Sequence, residues 1–340
     1  MFQSSISILR RQTNALPWSP STVKLSIIHK LAVCGLLPTA LLAVLPLHAQ
    51  ELTLEGQTGG FLTPTAYVVY SDKGQKFSHP AVGFHFIDAS KVIGNVQTYS
   101  IAEGFANRAE VGYTRSVHTF GDSGSSTALD LSKLWASNGM NIFSGKVVAV
   151  KDGQFGRWTP GMAVGGLVRT GDQFVSGALA GDGKTYTNGD VYAAVTKTWL
   201  HPPVPFFVNF GWKATNATIF GIGGQSTRFG GRLFGGLGIP LPFFCKTAIV
   251  PSVGFTQEPK TAKNLGALMP LSGVHIPTTL DYAVRITQAE RPHFSVDIGI
   301  GQVAGNIGSV PLVEQGVLVG TLPVNLEARH IVGMGLSYRY

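Results

Sequence analysis

The residues of this chain that could do chemistry are charged side chains placed on alternate positions of short apolar stretches. In 281–287, Tyr282 and Val284 share one face, while Asp281 and Arg285 share the other. In a membrane-spanning strand, an isolated charge that faces lipid near the midplane costs roughly 2–4 kcal/mol. Such charges therefore predict an interior filled by water or by ion pairs. The charges that are predicted to line this interior, called the lumen below, are Arg108, Glu110, Lys213, Arg228, Arg232, Asp281, Arg285, Asp297 and Arg339.

The histidines and serines offer weaker signs of chemistry. His85 lies between Phe84 and Phe86, on the face opposite Val82, which predicts a polar residue pointing into the same interior. The nine histidines show no spacing typical of metal ligands, so we expect no metal and no cofactor. An enzyme with a serine and a histidine on neighbouring strands stays an alternative, and its candidates are Ser295, Ser337 and His293.

Two motif classes are excluded by spacing and charge. Gly181-Asp-Gly-Lys-Thr185 resembles the end of a phosphate loop, but the first glycine that the motif requires is replaced by Ala178. The segment also precedes a strand, whereas a phosphate loop opens a helix.

The formal net charge of +8 is scattered and falls to +4 without the four basic residues of the first fifty. We therefore expect no nucleic-acid partner.

The elements that would position these charges are antiparallel strands. Apolar residues alternate with glycine or polar residues in twelve segments, near 79–88, 94–104, 107–117, 140–150, 160–170, 189–199, 205–214, 227–239, 246–257, 279–288, 293–303 and 329–340. The pattern predicts an all-β fold, an antiparallel transmembrane β-barrel of about twelve strands. Residues 52–56 and 60–70 could add two strands, which keeps fourteen as an alternative, although Pro64 argues against a central strand there.

The connections between these strands alternate in length. From residue 105 onward, short joins rich in turn formers alternate without exception with longer joins, which are mostly rich in Gly, Ser, Thr or Asn. Outer-membrane barrels have short periplasmic turns and longer extracellular loops. An exported soluble β-sandwich, the alternative fold, has no reason to keep this rhythm.

The final strand carries a resemblance to a known class. Tyr340, Tyr338, Leu336 and Met334 occupy every second position up to the last residue, with Arg339 among the small or polar residues between them. This pattern resembles the C-terminal strand of Gram-negative outer-membrane β-barrels. The resemblance implies that Tyr338 and Tyr340 form a signal for the barrel assembly machinery.

The beginning of the chain predicts export. Residues 1–49 contain four basic and no acidic residues, then an apolar run from Leu31 to Leu47, and then the small-residue pattern that ends at Ala49. This is the order of a cleaved secretory signal peptide. We expect residues 50–77 to form a periplasmic or lumen-entering segment, and residues 78–340 to form the barrel.

A second resemblance lies directly after the expected cleavage site. Residues 55–66, Glu-Gly-Gln-Thr-Gly-Gly-Phe-Leu-Thr-Pro-Thr-Ala, resemble the opening of uncharacterised Gram-negative outer-membrane barrel families, YjbH-like ones among them. The resemblance implies a location and an architecture but no substrate and no functional residues.

The sequence as a whole predicts a porin-like passive channel or envelope-transport barrel in the Gram-negative outer membrane. Basic residues outnumber acidic ones six to three among the predicted lumen charges, so a pore would weakly favour anions. The expected partners are outer-membrane lipid, lipopolysaccharide, the assembly machinery and small solutes. A structural or surface-polymer-export barrel without an open pore, in which the charges pair with one another, stays open as an alternative.

Overall fold

The structure, a computed structural model, describes twelve parts of the chain. They are residues 51–88, 95–119, 138–173, 185–200, 204–217, 225–243, 247–258, 278–288, 294–303, 309–314, 317–323 and 330–339. Residue contacts divide the chain into 1–43, which lies outside these parts, and 44–340. No helix in the described parts is long and apolar enough to cross a membrane.

The described residues form a closed antiparallel barrel. The strands are β1 (Ala81–Asp88), β2 (Asn95–Phe105), β3 (Ala109–Thr119), β4 (Asn138–Val150), β5 (Gly161–Gln173), β6 (Thr185–Trp199), β7 (Phe206–Ala217), β8 (Gln225–Gly238), β9 (Leu241–Phe243), β10 (Thr247–Thr256), β11 (Thr279–Gln288), β12 (Phe294–Val303), β13 (Ser309–Glu314), β14 (Val317–Pro323) and β15 (His330–Arg339). Twelve of them pair in the order β11-β12-β15-β1-β2-β3-β4-β5-β6-β7-β8-β10, and β10 pairs with β11 to close the sheet. The predicted fold class is therefore confirmed. The short β9 pairs only with β10, and β13 and β14 form a separate hairpin.

The two ends of the barrel differ in their connections. Antiparallel pairing places the joins at 106–108, 151–160, 200–205, 239–246 and 289–293 at one end, the turn rim. The strand ends that flank 89–94, 120–137, 174–184, 218–224, 257–278 and 304–329 form the other end, the loop rim. The expected strict alternation of join lengths is wrong at one place, because 218–224 is shorter than 239–246, the turn-rim join that follows it. The reason is that β7 and β8 extend into residues that were expected to form the loop.

The strands present an apolar face outward and a polar face inward. In β7, Val208, Phe210 and Trp212 are exposed on the outside of the barrel. The alternate residues Asn209 and Lys213 are buried inside it. A period of two produces this separation, since successive side chains of a strand point to opposite faces.

Aromatic residues gather where strands end at the turn rim. Phe105 and Trp199 end β2 and β6, while Phe206 and Phe294 begin β7 and β12. The rings of Trp199 and Phe206 stack with their centroids 4.7 Å apart. Tyr338 pairs with Phe294 across β15 and β12, and 43% of its surface is exposed. A ring of aromatic residues of this kind is typical of a barrel edge at a membrane–water interface.

Residues 51–78, here called the inner segment, precede β1 and contribute no strand to the barrel. Two isolated bridges, Leu52 to Thr58 and Gly59 to Pro64, fold the segment back on itself, and a third joins Phe77 to Phe105. The alternative of fourteen strands is therefore wrong. Pro64 and the positive φ of Gly56 interrupt any regular strand in this segment.

Candidate functional site

The inner segment lies inside the barrel. Its hydrogen bonds reach strands around the whole wall, which only a segment in the lumen can do. They join Thr58 to Glu110 of β3, Glu55 to Arg169 of β5, Ala66 to Thr196 of β6, Pro64 to Asn209 of β7, Gly59 to Arg285 of β11 and Tyr70 to Arg339 of β15. Leu52, Thr58 and Val69 are fully buried.

Glycines of the wall let the inner segment approach closely. A Cβ atom at Gly104 of β2 would overlap the carbonyl oxygen of Val69. A Cβ atom at Gly333 of β15 would lie 2.6 Å from the ring of Phe61. No side chain fits at either position, so the wall has a shape that matches the inner segment.

The first ionic cluster joins the inner segment to β5 and β6. The guanidinium of Arg169, which is 1% exposed, donates to both carboxylate oxygens of Asp190 at 3.2 and 2.8 Å. The Nε atom of Arg169 donates to Glu55 at 2.6 Å, and its Nη1 atom donates to Asn188 at 3.3 Å. One buried cation is thus shared by a wall carboxylate and a carboxylate of the inner segment.

The second ionic cluster repeats this arrangement on β11 and β12. Arg285 donates from Nε and Nη2 to the two oxygens of Asp297, at 2.9 and 3.0 Å. Arg285 also forms an ion pair with Glu51 of the inner segment. Its Nη1 atom donates to the carbonyl oxygen of Gly59 at 3.3 Å.

A third cluster holds the backbone of the inner segment against β3 and β4. Glu110 accepts hydrogen bonds from the amides of Thr58 and Val69, both at 2.9 Å, and from the hydroxyl of Thr58. Lys146 lies 3.4 Å from Glu110 and donates to the carbonyl oxygen of Thr58 at 2.8 Å. Both charged side chains are buried, so each depends on the other and on the segment.

Further contacts fix the inner segment near the turn rim. Asp152 accepts a hydrogen bond from the hydroxyl of Tyr67 at 2.9 Å and forms an ion pair with Lys197 at 2.6 Å. Ser71 donates from its amide to Asn107 at 2.6 Å. Burial raises the pKa of Tyr67, and the neighbouring Asp152 carboxylate raises it further.

A small cavity lies between the inner segment and strands of the wall. The cavity of about 20 Å³ is lined by Glu55, Tyr192 and Lys213 among others, which is room for one water molecule. Glu258, directly after β10, is buried with its Oε1 atom 3.8 Å from Lys213 Nζ. Burial raises the pKa of Glu258 to about 7 against the opposing effect of Lys213. Burial also raises the pKa of Glu55, although Arg169 opposes this shift.

The structure brings most of the predicted lumen residues to the inside of the wall. His85 is fully buried, with its ring 6.1 Å from that of Phe61. The further inward-facing residues are Glu110, Lys213, Arg232, Asp281, Arg285, Asp297 and Arg339, all of them buried except Arg232, which is partly buried. Arg232 donates to the carbonyl oxygen of Glu258 at 2.7 Å.

Three predicted residues differ from this placement or lie outside the description. The expectation that Arg108 lines the lumen is wrong, because Arg108 lies in the turn between β2 and β3. There it donates to the carbonyl oxygen of Ala149 at 3.0 Å. Arg228 belongs to β8, but its side chain lies outside the described residues, as does Tyr340.

Sequence reasoning missed several charges of the site. Lys146, Arg169, Asp190 and Lys197 are buried wall residues whose strands were predicted but whose side chains were not singled out. In the strands that carry these charges, apolar and polar residues are less cleanly separated between the two faces. In β4, for example, Ile142 lies on the inward face together with Lys146. The cost of a charge in lipid was signal enough to find Lys146, Arg169 and Asp190, since a charge near the middle of a spanning strand must face inward.

The residues of the enzyme alternative are only partly described. Ser295 and Ser337 are opposite each other on β12 and β15 and both are buried, whereas His293 lies outside the described residues. Within the described ranges, no group of three His, Cys, Asp or Glu side chains could hold a metal ion.

Comparisons with known proteins add a family and a set of weakly similar barrels. Residues 50–232 match the profile of a family described as "Protein of unknown function (DUF3034)". No curated protein matches the chain. The KdgM porin aligns with a TM-score of 0.43 and 9% identity over 76% of this chain and 99% of its own. The NanC porin aligns with a TM-score of 0.41 and 9% identity over 76% of this chain and 100% of its own. Omp33 of Acinetobacter baumannii aligns with a TM-score of 0.35 and 7% identity over 78% of this chain and 99% of its own. Scores and identities this low carry no argument about function.

Proposed function

The chain belongs to the DUF3034 protein family, and we propose that it is a passive transport barrel of the outer membrane, held closed by its own inner segment. The family description names no activity, so the proposal is argued from the geometry of the chain. The resemblance of residues 55–66 to YjbH-like proteins stays a prediction. The enzyme alternative is not favoured by any described contact.

The outer surface supports the membrane part of the proposal. Large apolar side chains are exposed around the barrel, on strands as far apart as β3, β7 and β12. Val111, Phe210 and Ile298 are each at least half exposed. Exposure of such an apolar surface to water would be unfavourable in free energy, whereas lipid tails solvate it. Together with the aromatic residues of the turn rim, this belt favours insertion into a bilayer, with the turn rim in the periplasm.

The observation that carries the transport part is the polar contact between the wall and the inner segment. A barrel that stays permanently closed can be filled by apolar side chains, since replacing buried ion pairs by apolar residues is often neutral or stabilising. Here Glu110, Lys146 and Arg285 instead hold backbone groups of the segment. Water can solvate the same wall groups if the segment moves away. The interior is thus suited to both a closed and an open state.

A structural barrel without an open pore is the second candidate. The same filling of the lumen favours it, because a segment hydrogen-bonded to at least eight strands could remain in place permanently. The two candidates differ in whether the inner segment ever leaves the lumen.

A reversible tether distinguishes them. The Cβ atom of Leu52 lies 3.4 Å from where a Cβ atom at Gly83 would stand, close to the separation found in disulfides. The mature Leu52→Cys/Gly83→Cys protein, made with Cys245→Ser, is reconstituted in planar bilayers. We expect no conductance when it is oxidised and intermittent openings after reduction. Tyr113 and Phe143 face each other on the outside, and cysteines at these two positions serve as the control.

Each result favours one candidate. Steady conductance through the oxidised tethered protein would contradict closure by the inner segment. Absence of openings in the reduced protein and in the control would leave the structural barrel. Release of the native protein by urea washing, without heat-modifiable gel mobility, would contradict membrane insertion itself.

A further inference from the structure

Two arginines of the wall are built alike. Arg169 and Arg285 each bind one wall aspartate through two nearly parallel hydrogen bonds, to Asp190 and Asp297 respectively. Each also binds one glutamate of the inner segment. The aspartate is fixed on a neighbouring strand, which orients the guanidinium. The glutamate arrives on a segment that is not part of the wall.

Buried basic side chains outnumber acidic ones on the wall, and the inner segment supplies two of the carboxylates that face them. Among the buried side chains of the described barrel strands, six are basic and four are acidic. They are Lys146, Arg169, Lys197, Lys213, Arg285 and Arg339 against Glu110, Asp190, Asp281 and Asp297. Glu258, two residues after β10, is a fifth buried carboxylate, and Glu51 and Glu55 of the inner segment bring the acidic number to seven. Without these two carboxylates, the surplus of positive charge would be concentrated at the two arginines that lose a partner.

The surroundings of Glu55 contain a further polar group. The hydroxyl of Tyr192, which is 3% exposed, makes no hydrogen bond within the described part of the chain. Tyr192 lines the small cavity beside Glu55 together with Lys213. The hydroxyl of Tyr192 and the ammonium group of Lys213 are hydrogen-bond donors. A solute that carries a carboxylate and is larger than the Glu55 side chain could bind to them as well as to Arg169.

We infer that Arg169 and Arg285 are binding sites for the carboxylate groups of anionic solutes, and that Glu55 and Glu51 fill these sites while the inner segment is in place. The planar fork of arginine matches a carboxylate in two-point geometry, which favours carboxylates over spherical anions. The inner segment then acts as an internal ligand with which solute carboxylates compete. This inference rests on the proposed function, whose transported solute it assigns to a chemical class.

Chemical rescue by acetate tests the site directly. In the full mature protein, Glu55→Ala removes one carboxylate and leaves Arg169 with space for a small anion. The folded state is followed by the temperature at which heat-modifiable gel mobility is lost, in acetate or chloride at equal ionic strength. We expect acetate to raise this temperature for Glu55→Ala and to act at an about tenfold lower concentration than chloride. Wild type and the outward-facing Glu103→Ala variant should respond equally to both anions.

A second variant and a refolding assay cover a failure to assemble. Glu51→Ala, beside Arg285, should show the same preference for acetate. If neither variant folds in chloride, recovery of folded barrel when acetate is present during refolding supports the inference. Equal effects of acetate and chloride on both variants, or no recovery in acetate, would overturn it.

The two proposals can fail separately, because this assay does not measure conductance. A wild type without openings but with acetate rescue would refute transport and retain the carboxylate sites. Openings without rescue would retain transport and refute the assignment of its solute.

Discussion

At the scale of single residues, the buried charges of the described wall lie on the inside, and Glu110, Lys146, Arg169, Arg285 and Arg339 each have a partner on the inner segment. Removing one member of a buried ion pair is more costly than removing both, because the remaining charge keeps the full cost of its burial. Glu110 is the most connected example, with two backbone amides, one hydroxyl and one lysine in contact. The stability of the closed state therefore depends on a few carboxylates.

We expect Glu110→Gln to destabilise the protein strongly. The substitution leaves Lys146 without its counter-charge and replaces one carboxylate oxygen by an NH2 donor, so one of the two amides loses its acceptor. The loss should cost roughly 3–5 kcal/mol. The double variant Glu110→Gln/Lys146→Met should recover part of this loss. Urea unfolding measured in detergent micelles gives the free energies, and Glu103→Gln on the outer face is the matched control. Equal stability of Glu110→Gln and Glu103→Gln would show that the cluster contributes nothing.

Glu258 makes stability depend on pH. Its pKa is about 7 in the folded protein against an ordinary value of 4.5, so the folded state binds the proton more tightly. The resulting stabilisation is complete below pH 4.5 and is lost as the pH rises to about 7. Glu258→Gln should remove this part of the pH dependence and unfold at higher urea than wild type at pH 8. The difference in the free energy of unfolding between Glu258→Gln and wild type at pH 8 has an upper limit on the order of 3 kcal/mol. Parallel pH profiles of the two proteins would contradict the prediction.

At the scale of elements, the strands could be predicted and the inner segment could not. The twelve predicted strands correspond to the twelve barrel strands because outward apolar alternation is a local signal, visible within ten residues. Bounds were wrong where that signal fades, as at the polar start of β6, Thr185–Asn188. The path of the inner segment depends on partners far along the chain, such as Gly59 with Arg285. No periodicity records such a contact, so sequence left the position of residues 50–77 open.

The fit between the inner segment and the wall gives a prediction for this element. Gly104→Ala places a methyl group against the carbonyl oxygen of Val69 and should displace the part of the inner segment around Val69. Gly145→Ala is the matched control, because its Cβ would meet its nearest neighbour, the Glu110 carbonyl oxygen, only at 4.0 Å. Limited proteolysis should cut Gly104→Ala within residues 64–78 at least about tenfold faster than Gly145→Ala. Equal cleavage rates would mean that the wall does not hold the segment by shape.

At the scale of the whole molecule, closure of the barrel joins the two ends of the sheet. β15 pairs with both β12 and β1, and β10 pairs with β11, so each of the twelve barrel strands described has a partner on both sides. The candidate site follows from this closure, because it encloses charges from eight strands around one short segment. Sequence could place Asp281, Arg285 and Asp297 on the inner face. It could not reveal that Arg285 is shared between Asp297 and Glu51, since the wall pattern is the same for a wet and a filled lumen.

The terminal strand provides the last prediction, which concerns assembly of the whole barrel. Tyr338 lies opposite both Val82 of β1 and Phe294 of β12, so it stands where the last strand closes the sheet at the turn rim. Deletion of Tyr340 and the substitution Tyr338→Ala should each lower the yield of heat-modifiable barrel in cells severalfold. The reason is that the resemblance of the last strand assigns both tyrosines to the assembly signal, and that Tyr338 is an aromatic residue of this edge. Tyr113→Ala, an equally outward aromatic residue in the middle of β3, should assemble at the wild-type level. The purified Tyr338→Ala protein should still refold in detergent, where no assembly machinery acts. A Tyr340 deletion that accumulates normally in the membrane would remove the argument for a C-terminal assembly signal.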